Sequence, residues 1–189
     1  MAKHVVIFGR SPFIHSVDVE RLTARHVSIG FNSFGDSFSV DHLFYYDDWY
    51  GFGRDPKTLI HVPSWFKQAD NRIVRYQPRP YERPIRRLLF DQGCRVLSFR
   101  YFTASVALNW AILNNFGKIY LVGIDHREDE QHLAHFDAPA SKMKTTARAH
   151  QAFKQYVYHC QGAGVEIFQC NPDVAEQWQL PFKQVESLY

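Results

Sequence analysis

The sequence is short of cysteine, of net charge and of long apolar runs, and each shortage excludes a class of protein. Its 3 cysteines, Cys94, Cys160 and Cys170, are too few and too widely spaced for a disulfide framework or a zinc knuckle. With 22 basic and 19 acidic residues, the net charge is only +3, which gives no argument for binding nucleic acid or an anionic membrane. No run approaches the roughly 18 apolar residues of a transmembrane helix.

The start of the chain also lacks the features of a secretory signal. Residues 1–9 lead directly into an apolar strand, without an h-region or a cleavage site. We therefore expect a cytoplasmic protein with reduced, mostly buried thiols. The 189 residues, of which 46% are hydrophobic and 22% charged, fit one folded domain spanning 1–189.

Short apolar segments that end at turn residues alternate with helical patterns. Strands are predicted at 4–8, 26–31, 43–46, 58–62, 95–98, 118–122 and 165–168. Helices are predicted at 17–24, from a cap at Thr103 to a stop at Gly117, and at 142–160. This alternation predicts an α/β fold: a single Rossmann-like domain with a doubly wound, mostly parallel sheet and helices on both faces.

Prolines and arginines are concentrated at about 77–87. Three prolines fall within residues 77–84 and four arginines within 79–87. We predict an irregular loop or lid there, because proline removes the N–H that regular elements need. Its arginines could clamp a phosphate, although a solvated surface loop is the more ordinary interpretation.

Ligands of doubly wound sheets bind beyond the carboxyl ends of the strands. This rule selects four loops: Gly9 to Pro12, Asn32 to Asp36, Asp125 to Asp137, and Asn171-Pro172. Gly9 lets the backbone approach a ligand closely, and Arg10 could contact a phosphate. The turn is not G-x-G-x-x-G and the chain has no Walker A sequence, so neither a dinucleotide site nor a P-loop is predicted. Asn32 could contact a base or a ribose, or simply serve as a turn residue.

The segment from Asp125 to Asp137, DHREDEQHLAHFD, holds 3 histidines and 5 acidic residues. His126 or His135 could act as a general acid or base, because imidazole titrates near neutral pH. Asp125 could bind a sugar hydroxyl or a divalent cation. A transition-metal site at His132 and His135 is the least favoured, since the spacing is not H-E-x-x-H, and we predict no metal site. A solvated polar loop is the non-functional interpretation.

Several segments, taken in order, resemble one group of proteins. The turn IFGRSPF is similar to a G-N-G-P-S turn, and HVSIGFNSF to a strand that ends in Asn. The block TASVALNWAILNNFGKIYLVGIDH is similar to a helix and strand that end in G-[IVF]-D, and HF at 135–136 with GVEIFQCNP to the closing segment. Together they resemble the bacterial sialyltransferase-like glycosyltransferases (the family 42 type). They also resemble the related motility accessory factors and 6-hydroxymethylpterin pyrophosphokinase-like proteins.

The sialyltransferase resemblance implies a CMP-sugar as the donor substrate, a glycan or small-molecule acceptor, and no required cofactor. The implied donor-binding residues are Gly9, Arg10, Ser11, Asn32, Gly123, Asp125 and His126. His135 is implied as the general base that takes the proton from the acceptor hydroxyl. The chemistry implied is displacement at the sugar carbon of a nucleotide-sugar.

Two alternatives remain open at this stage. The pterin-kinase resemblance implies ATP and Mg²⁺ instead, with Asp125 and Asp129 as candidate metal ligands. The other alternative is a catalytically inactive member of the family that acts as a binding or assembly protein. Its support is the altered turn, in which Arg10 replaces the Asn of the family pattern and Phe13 its Ser.

Overall fold

A computed structural model describes residues 3–46, 51, 53–80, 83–91, 93–99, 102–125 and 147–189, with the backbone alone for 147–150. Nine strands in these ranges form one sheet: β1 Lys3–Phe8, β2 Val27–Phe31, β3 His42–Phe44, β4 Leu59–Pro63, β5 Ile73–Pro80, β6 Leu89–Asp91, β7 Cys94–Phe99, β8 Phe116–Val122 and β9 Glu166–Gln169. The α-helices there are α1 Val19–Thr23, α2 Phe34–Ser37, α3 Thr103–Leu113, α4 Ala147–Gln161 and α5 Pro172–Trp178. Short 3-10 turns cover Pro12–Ser16 and Val185–Leu188.

The strand order is β6-β7-β5-β4-β3-β2-β1-β8-β9, and among these described strands only the β6–β7 pair is antiparallel. From β1 the chain adds β2, β3, β4 and β5 outward on one side. After β7 it crosses by α3 to the other side of β1, where β8 and then β9 pair. The order of the strands therefore reverses between β1 and β8. This is the predicted doubly wound α/β sheet.

Hydrophobic clusters cover both faces of the sheet, because successive side chains of a strand point to opposite faces. Val5 and Ile7 of β1 pack into the cluster that contains α3 and α4. Val6 and Phe8 pack into the opposite cluster, with α1 and the C-terminal 3-10 turn. All four side chains are fully buried, which explains why β1 is a continuous apolar run. No helix in the described ranges is long and apolar enough to span a membrane.

The predicted loop at 77–87 is wrong in its first part, since Gln77 to Pro80 continue β5. Pairing of β5 with β4 ends at Tyr76, whereas pairing with β7 continues through Pro80. The prolines thus lie where the strand has one neighbour, and such a strand tolerates the loss of an N–H. Described residues 83–88 are irregular, as predicted, and are tied to the sheet through Ser98 Oγ, which donates to the Arg83 carbonyl.

The ends of α3 also differ from the prediction. Thr103 is the first helical residue, and the capping position is occupied by Phe102, without a side-chain cap. The helix ends at Leu113, and Asn115 takes the left-handed conformation that Gly117 was expected to supply. Gly117 lies within β8. Asparagine tolerates this conformation better than most residues, so it can replace glycine in ending a helix.

The thiols agree with the sequence expectation. Cys160 and Cys170 are buried, Cys94 is partly buried, and all three are free. Burial raises the pKa of both Cys160 and Cys170, the latter to about 12. These two thiols therefore serve as core side chains.

Candidate functional site

An open cleft of about 310 Å³ lies where the strand order reverses. It is bordered by the residues that follow β1, β8 and β9: Ser11, Pro12, Phe13, Asp125, Asn171, Pro172 and Asp173. In doubly wound sheets this crevice is the usual position for a ligand. Three separate loops, far apart in the sequence, are brought together here by the sheet.

Gly9 and Gly123 bring the β1 and β8 loops into direct backbone contact. The Gly9 N–H donates to the Val122 carbonyl at 2.8 Å, and the Ser11 N–H donates to the Gly123 carbonyl at 3.0 Å. A Cβ atom on Gly9 would overlap the carbonyl group of Gly123, and Gly123 itself has a φ of +68°. Only glycine satisfies both requirements without strain. The two glycines therefore hold the β1 and β8 loops, which border the cleft, against each other.

The central polar group of the cleft is the carboxylate of Asp125. Its Oδ2 atom accepts hydrogen bonds from Ser11 Oγ at 2.5 Å and from Asn171 Nδ2 at 2.8 Å. Ser11 and Asn171 are only 9% and 6% exposed, and Asp125 is half-buried. Hydrogen bonds of this kind offset the cost of removing a carboxylate from water. Asp125 is thereby held in one orientation by side chains from two other loops.

Ser11 and Asn171 also shape their own loops. Ser11 Oγ accepts from the Phe13 N–H at 3.2 Å and caps the 3-10 turn Pro12–Ser16. Asn171 Oδ1 accepts from the Asp173 N–H at 3.2 Å and caps α5, whose first residue is Pro172. Each side chain thus satisfies a helix-start N–H while it binds Asp125. Their first role is to position the loops and the carboxylate.

The side chain of Gln169 links the loop that follows β8 to the loop that follows β9. Its side chain is fully buried at the end of β9, and its Nε2 donates to the Ile124 carbonyl at 3.1 Å. Its Oε1 accepts from the N–H groups of Cys170 at 2.9 Å and Asn171 at 3.2 Å. Gln169 therefore fixes the position of the Asn171 backbone relative to the residue before Asp125.

The Asn171-Pro172 loop was among the four loops expected to bind a ligand, and it borders the cleft, but sequence reasoning gave Asn171 no role of its own and did not select Gln169 or Asp173. The Asn171-Pro172 pair after the last strand was the available signal, because it follows a strand and resembles a helix start. Nothing in the sequence marks Gln169, whose function depends on a pairing between β8 and β9.

The structure places the sequence-selected residues differently. Ser11 and Asp125 border the cleft, and Gly9 and Gly123 join the backbones of the two loops that carry them. Arg10 and Asn32 do not border it. His126 and His135 lie outside the described residues, as does Asp129.

Asn32 lies at the same edge of the sheet, after β2. It has a φ of +49°, and its N–H donates to the Phe44 carbonyl at 3.1 Å. Its Oδ1 atom is buried and has no hydrogen-bond partner among the described residues. A buried acceptor of this kind is costly unless a donor reaches it, so it fits a contact with a bound ligand.

The electrostatic character of the cleft is acidic, since Asp125 and the exposed Asp173 both border it. Carboxylates of this kind bind hydroxyl groups and cations. Within the described ranges, no group of three or more His, Cys, Asp or Glu side chains is arranged to hold a metal ion.

No family model matches this chain, and no match was found among curated proteins or among solved structures. The geometry of the cleft is therefore the main source of functional information.

Proposed function

We propose that this protein is a nucleotide-sugar-dependent glycosyltransferase of sialyltransferase-like type, with the donor bound at the cleft between β1 and β8. The observation that supports it most is the Ser11–Asp125–Asn171 hydrogen-bond cluster at the strand-order reversal. A polar, pre-positioned cluster in a crevice of about 310 Å³ is what a small, hydroxyl-rich ligand requires. The order of motifs along the chain agrees with this proposal.

The donor is a CMP-sugar in this proposal, and each loop has a part in holding it. The backbone contact between Gly9 and Gly123 holds together the two loops between which the donor lies. Asp125 accepts hydrogen bonds from hydroxyl groups of the donor, and Asn32 supplies a further acceptor along the same edge. Arg10 and His126 are the other donor-binding residues of the proposal.

The reaction is a displacement at the anomeric carbon. His135 takes the proton from the acceptor hydroxyl, and the acceptor oxygen forms a bond to that carbon. The bond from the carbon to the phosphate oxygen breaks, and CMP leaves with the electron pair and the negative charge. The proposal includes no metal ion in this step, as the sialyltransferase resemblance implies.

One observation favours a second candidate, a pyrophosphokinase-like enzyme that uses ATP and Mg²⁺. Two carboxylates, Asp125 and Asp173, border the same cleft, and Mg²⁺ binds to one or two carboxylates together with substrate phosphates. Asp129 would be a further ligand. The two candidates differ in nucleotide and in metal requirement, so one experiment separates them.

The experiment is a thermal-shift panel with CMP, CDP, UDP, GDP and ATP, each with and without Mg²⁺. A ligand at 100 times its dissociation constant stabilises a protein by about 2.7 kcal/mol, which raises the melting temperature measurably. We expect stabilisation by CMP without metal, and its loss in Ser11→Ala. The matched control is Ser16→Ala, which removes an exposed hydroxyl of the same 3-10 turn. A shift with ATP and Mg²⁺ alone would select the kinase, and no shift at all would favour a binding or assembly protein.

A further inference from the structure

A second feature of the carboxyl edge of the sheet is a set of aromatic rings at the ends of β3, β4 and β7. The Tyr46 ring lies flat against the Phe99 ring, with centroids 3.8 Å apart and planes 5° apart. Trp65 meets Tyr46 edge-on, at 5.7 Å and 82°. Trp65 itself is 54% exposed. A large indole is thus supported from one side and open to solvent on another.

The loop that carries Trp65 is firmly held. The Phe66 N–H donates to the Pro63 carbonyl at 3.1 Å, which closes a turn around Trp65, and the Ser64 N–H donates to the Tyr76 carbonyl at 2.7 Å. Arg75 donates from Nε to the Phe66 carbonyl at 3.3 Å and from Nη2 to the Gln68 carbonyl at 2.7 Å. The indole is therefore positioned before any ligand arrives, which lowers the entropic cost of binding.

The surroundings of Trp65 are polar. Lys67 and Gln68 are exposed beside it, and Ser64 is half-buried. One apolar ring with a polar rim matches a ligand that has one apolar face and polar edges. A pyranose ring has this form, because C–H groups occupy one face and hydroxyls the rim. Its polarised C–H groups are attracted to the negative face of an aromatic ring.

The distance from the cleft identifies which substrate this surface would hold. Asp125 follows β8, which is four strands from β4, and with about 4.8 Å between neighbouring strands the separation is roughly 19 Å. Both features lie at the same edge. A donor nucleotide bound beside Asp125 does not cover Trp65, so the surface around Trp65 is available to the second substrate, the acceptor.

We propose that Trp65 is the stacking platform of the acceptor subsite and that the acceptor is a saccharide. This inference rests on the proposed glycosyltransferase function. Tyr46 contacts the indole edge-on and is itself stacked on Phe99. Arg75 acts as a positioning residue through the loop that it holds.

The test is saturation-transfer NMR on the full chain with lactose, N-acetyllactosamine, maltose and adenosine as separate probes. We expect at least one saccharide to bind, and binding to weaken about tenfold in Trp65→Ala, the effect of losing one stacked ring. Trp65→Phe retains a ring and should retain most of the binding. The matched control is Phe90→Ala, which removes another exposed ring, 67% exposed, on the edge strand β6.

The outcomes separate this inference from the proposed function when CMP stabilisation is measured on the same variants. Saccharide binding that survives Trp65→Ala unchanged, or Trp65-dependent binding of adenosine alone, overturns the inference even if CMP still binds. If none of the three saccharides binds, the inference is overturned as well. If the wild type ignores CMP but binds a saccharide through Trp65, the glycosyltransferase proposal fails and the saccharide site stands.

Discussion

His42 and His61, on neighbouring strands, share a hydrogen bond of 3.0 Å between His42 Nδ1 and His61 Nε2. Around this pair, the His61 ring stacks on Phe44 at 4.2 Å, and Trp110 lies 4.4 Å from the His42 ring. Burial lowers the pKa of His42 to about 4; nearby Asp41 opposes this shift and Arg95 adds to it. Burial, His42 and Arg95 lower the pKa of His61 well below its usual value. Both rings are therefore neutral in the folded protein at pH 7.

This pair predicts a loss of stability in mild acid. Below about pH 6.5 the unfolded chain protonates these histidines, whereas the folded chain resists protonation of His42 down to about pH 4. The unfolded state then binds more protons, so stability falls as pH falls, by up to about 1.4 kcal/mol per pH unit for each proton. Urea unfolding between pH 7.5 and 4.5 should show this slope. In the double variant His42→Phe with His61→Phe the slope should be shallower, and parallel curves would contradict the prediction.

The close approach of Gly9 to Gly123 predicts a large effect from one methyl group. Gly9→Ala places a Cβ against the Gly123 carbonyl, so the β1 and β8 loops must separate. We expect a loss of about 1–3 kcal/mol in the free energy of unfolding, as for other overpacked sites. Gly162→Ala is the control, because a Cβ there meets its neighbours at 3.5 Å or more and should change stability little. Equal stability of the two variants in urea would show that the contact between the β1 and β8 loops is not tight.

The carboxylate of Asp125 is predicted to support both the fold and the ligand. Asp125→Ala leaves Ser11 Oγ and Asn171 Nδ2 without their acceptor, which should cost about 1–3 kcal/mol. Asp125→Asn keeps the size of the side chain and removes its charge. It should fold more stably than Asp125→Ala but lose the thermal shift with CMP. Asp91→Asn, on the opposite part of the sheet, should keep that shift, and a full CMP response in Asp125→Asn would remove the carboxylate from the site.

The proposed base is tested by comparing two histidines of one segment. His135→Ala should lower sugar transfer by roughly 10²–10⁴-fold, the usual contribution of a positioned general base. The thermal shift with CMP should persist, since His135 acts on the acceptor. His132→Ala serves as the control and should transfer at the wild-type rate. Transfer that survives His135→Ala would exclude this residue as the base.

The elements that the sequence predicted best are those with continuous apolar runs. β1 and β8 are buried on both faces, and turn residues mark their ends, so local pattern and tertiary position agree. β5 was missed because its prolines indicated a loop. They are tolerated because pairing with β4 ends at Tyr76, so the proline-containing part of β5 is paired only with β7. β6 has 3 residues, too few for a periodic signal.

The site was predictable where a general rule of the fold applies. Ser11 and Asp125 were selected because they follow strands, and the sheet brings them within hydrogen-bond distance. Gln169 could not be found in this way, because it acts on Ile124, 45 residues earlier in the chain. Such a contact is set by the pairing of β8 with β9, which no local pattern encodes.

The pairing of β1 with β8 has a consequence for folding during synthesis. β1 lies inside the sheet, and one of its sides is filled only by β8, whose Ile119 pairs with Val5. During synthesis, the apolar strand at residues 3–8 therefore waits with an open edge while more than 100 further residues are added. At ordinary rates of translation this lasts roughly 6 to 20 seconds. Throughout that interval the nascent chain exposes an unpaired, apolar strand edge, which is the kind of surface that chaperones bind. The cleft forms only after β8 and β9 have been synthesised and have paired.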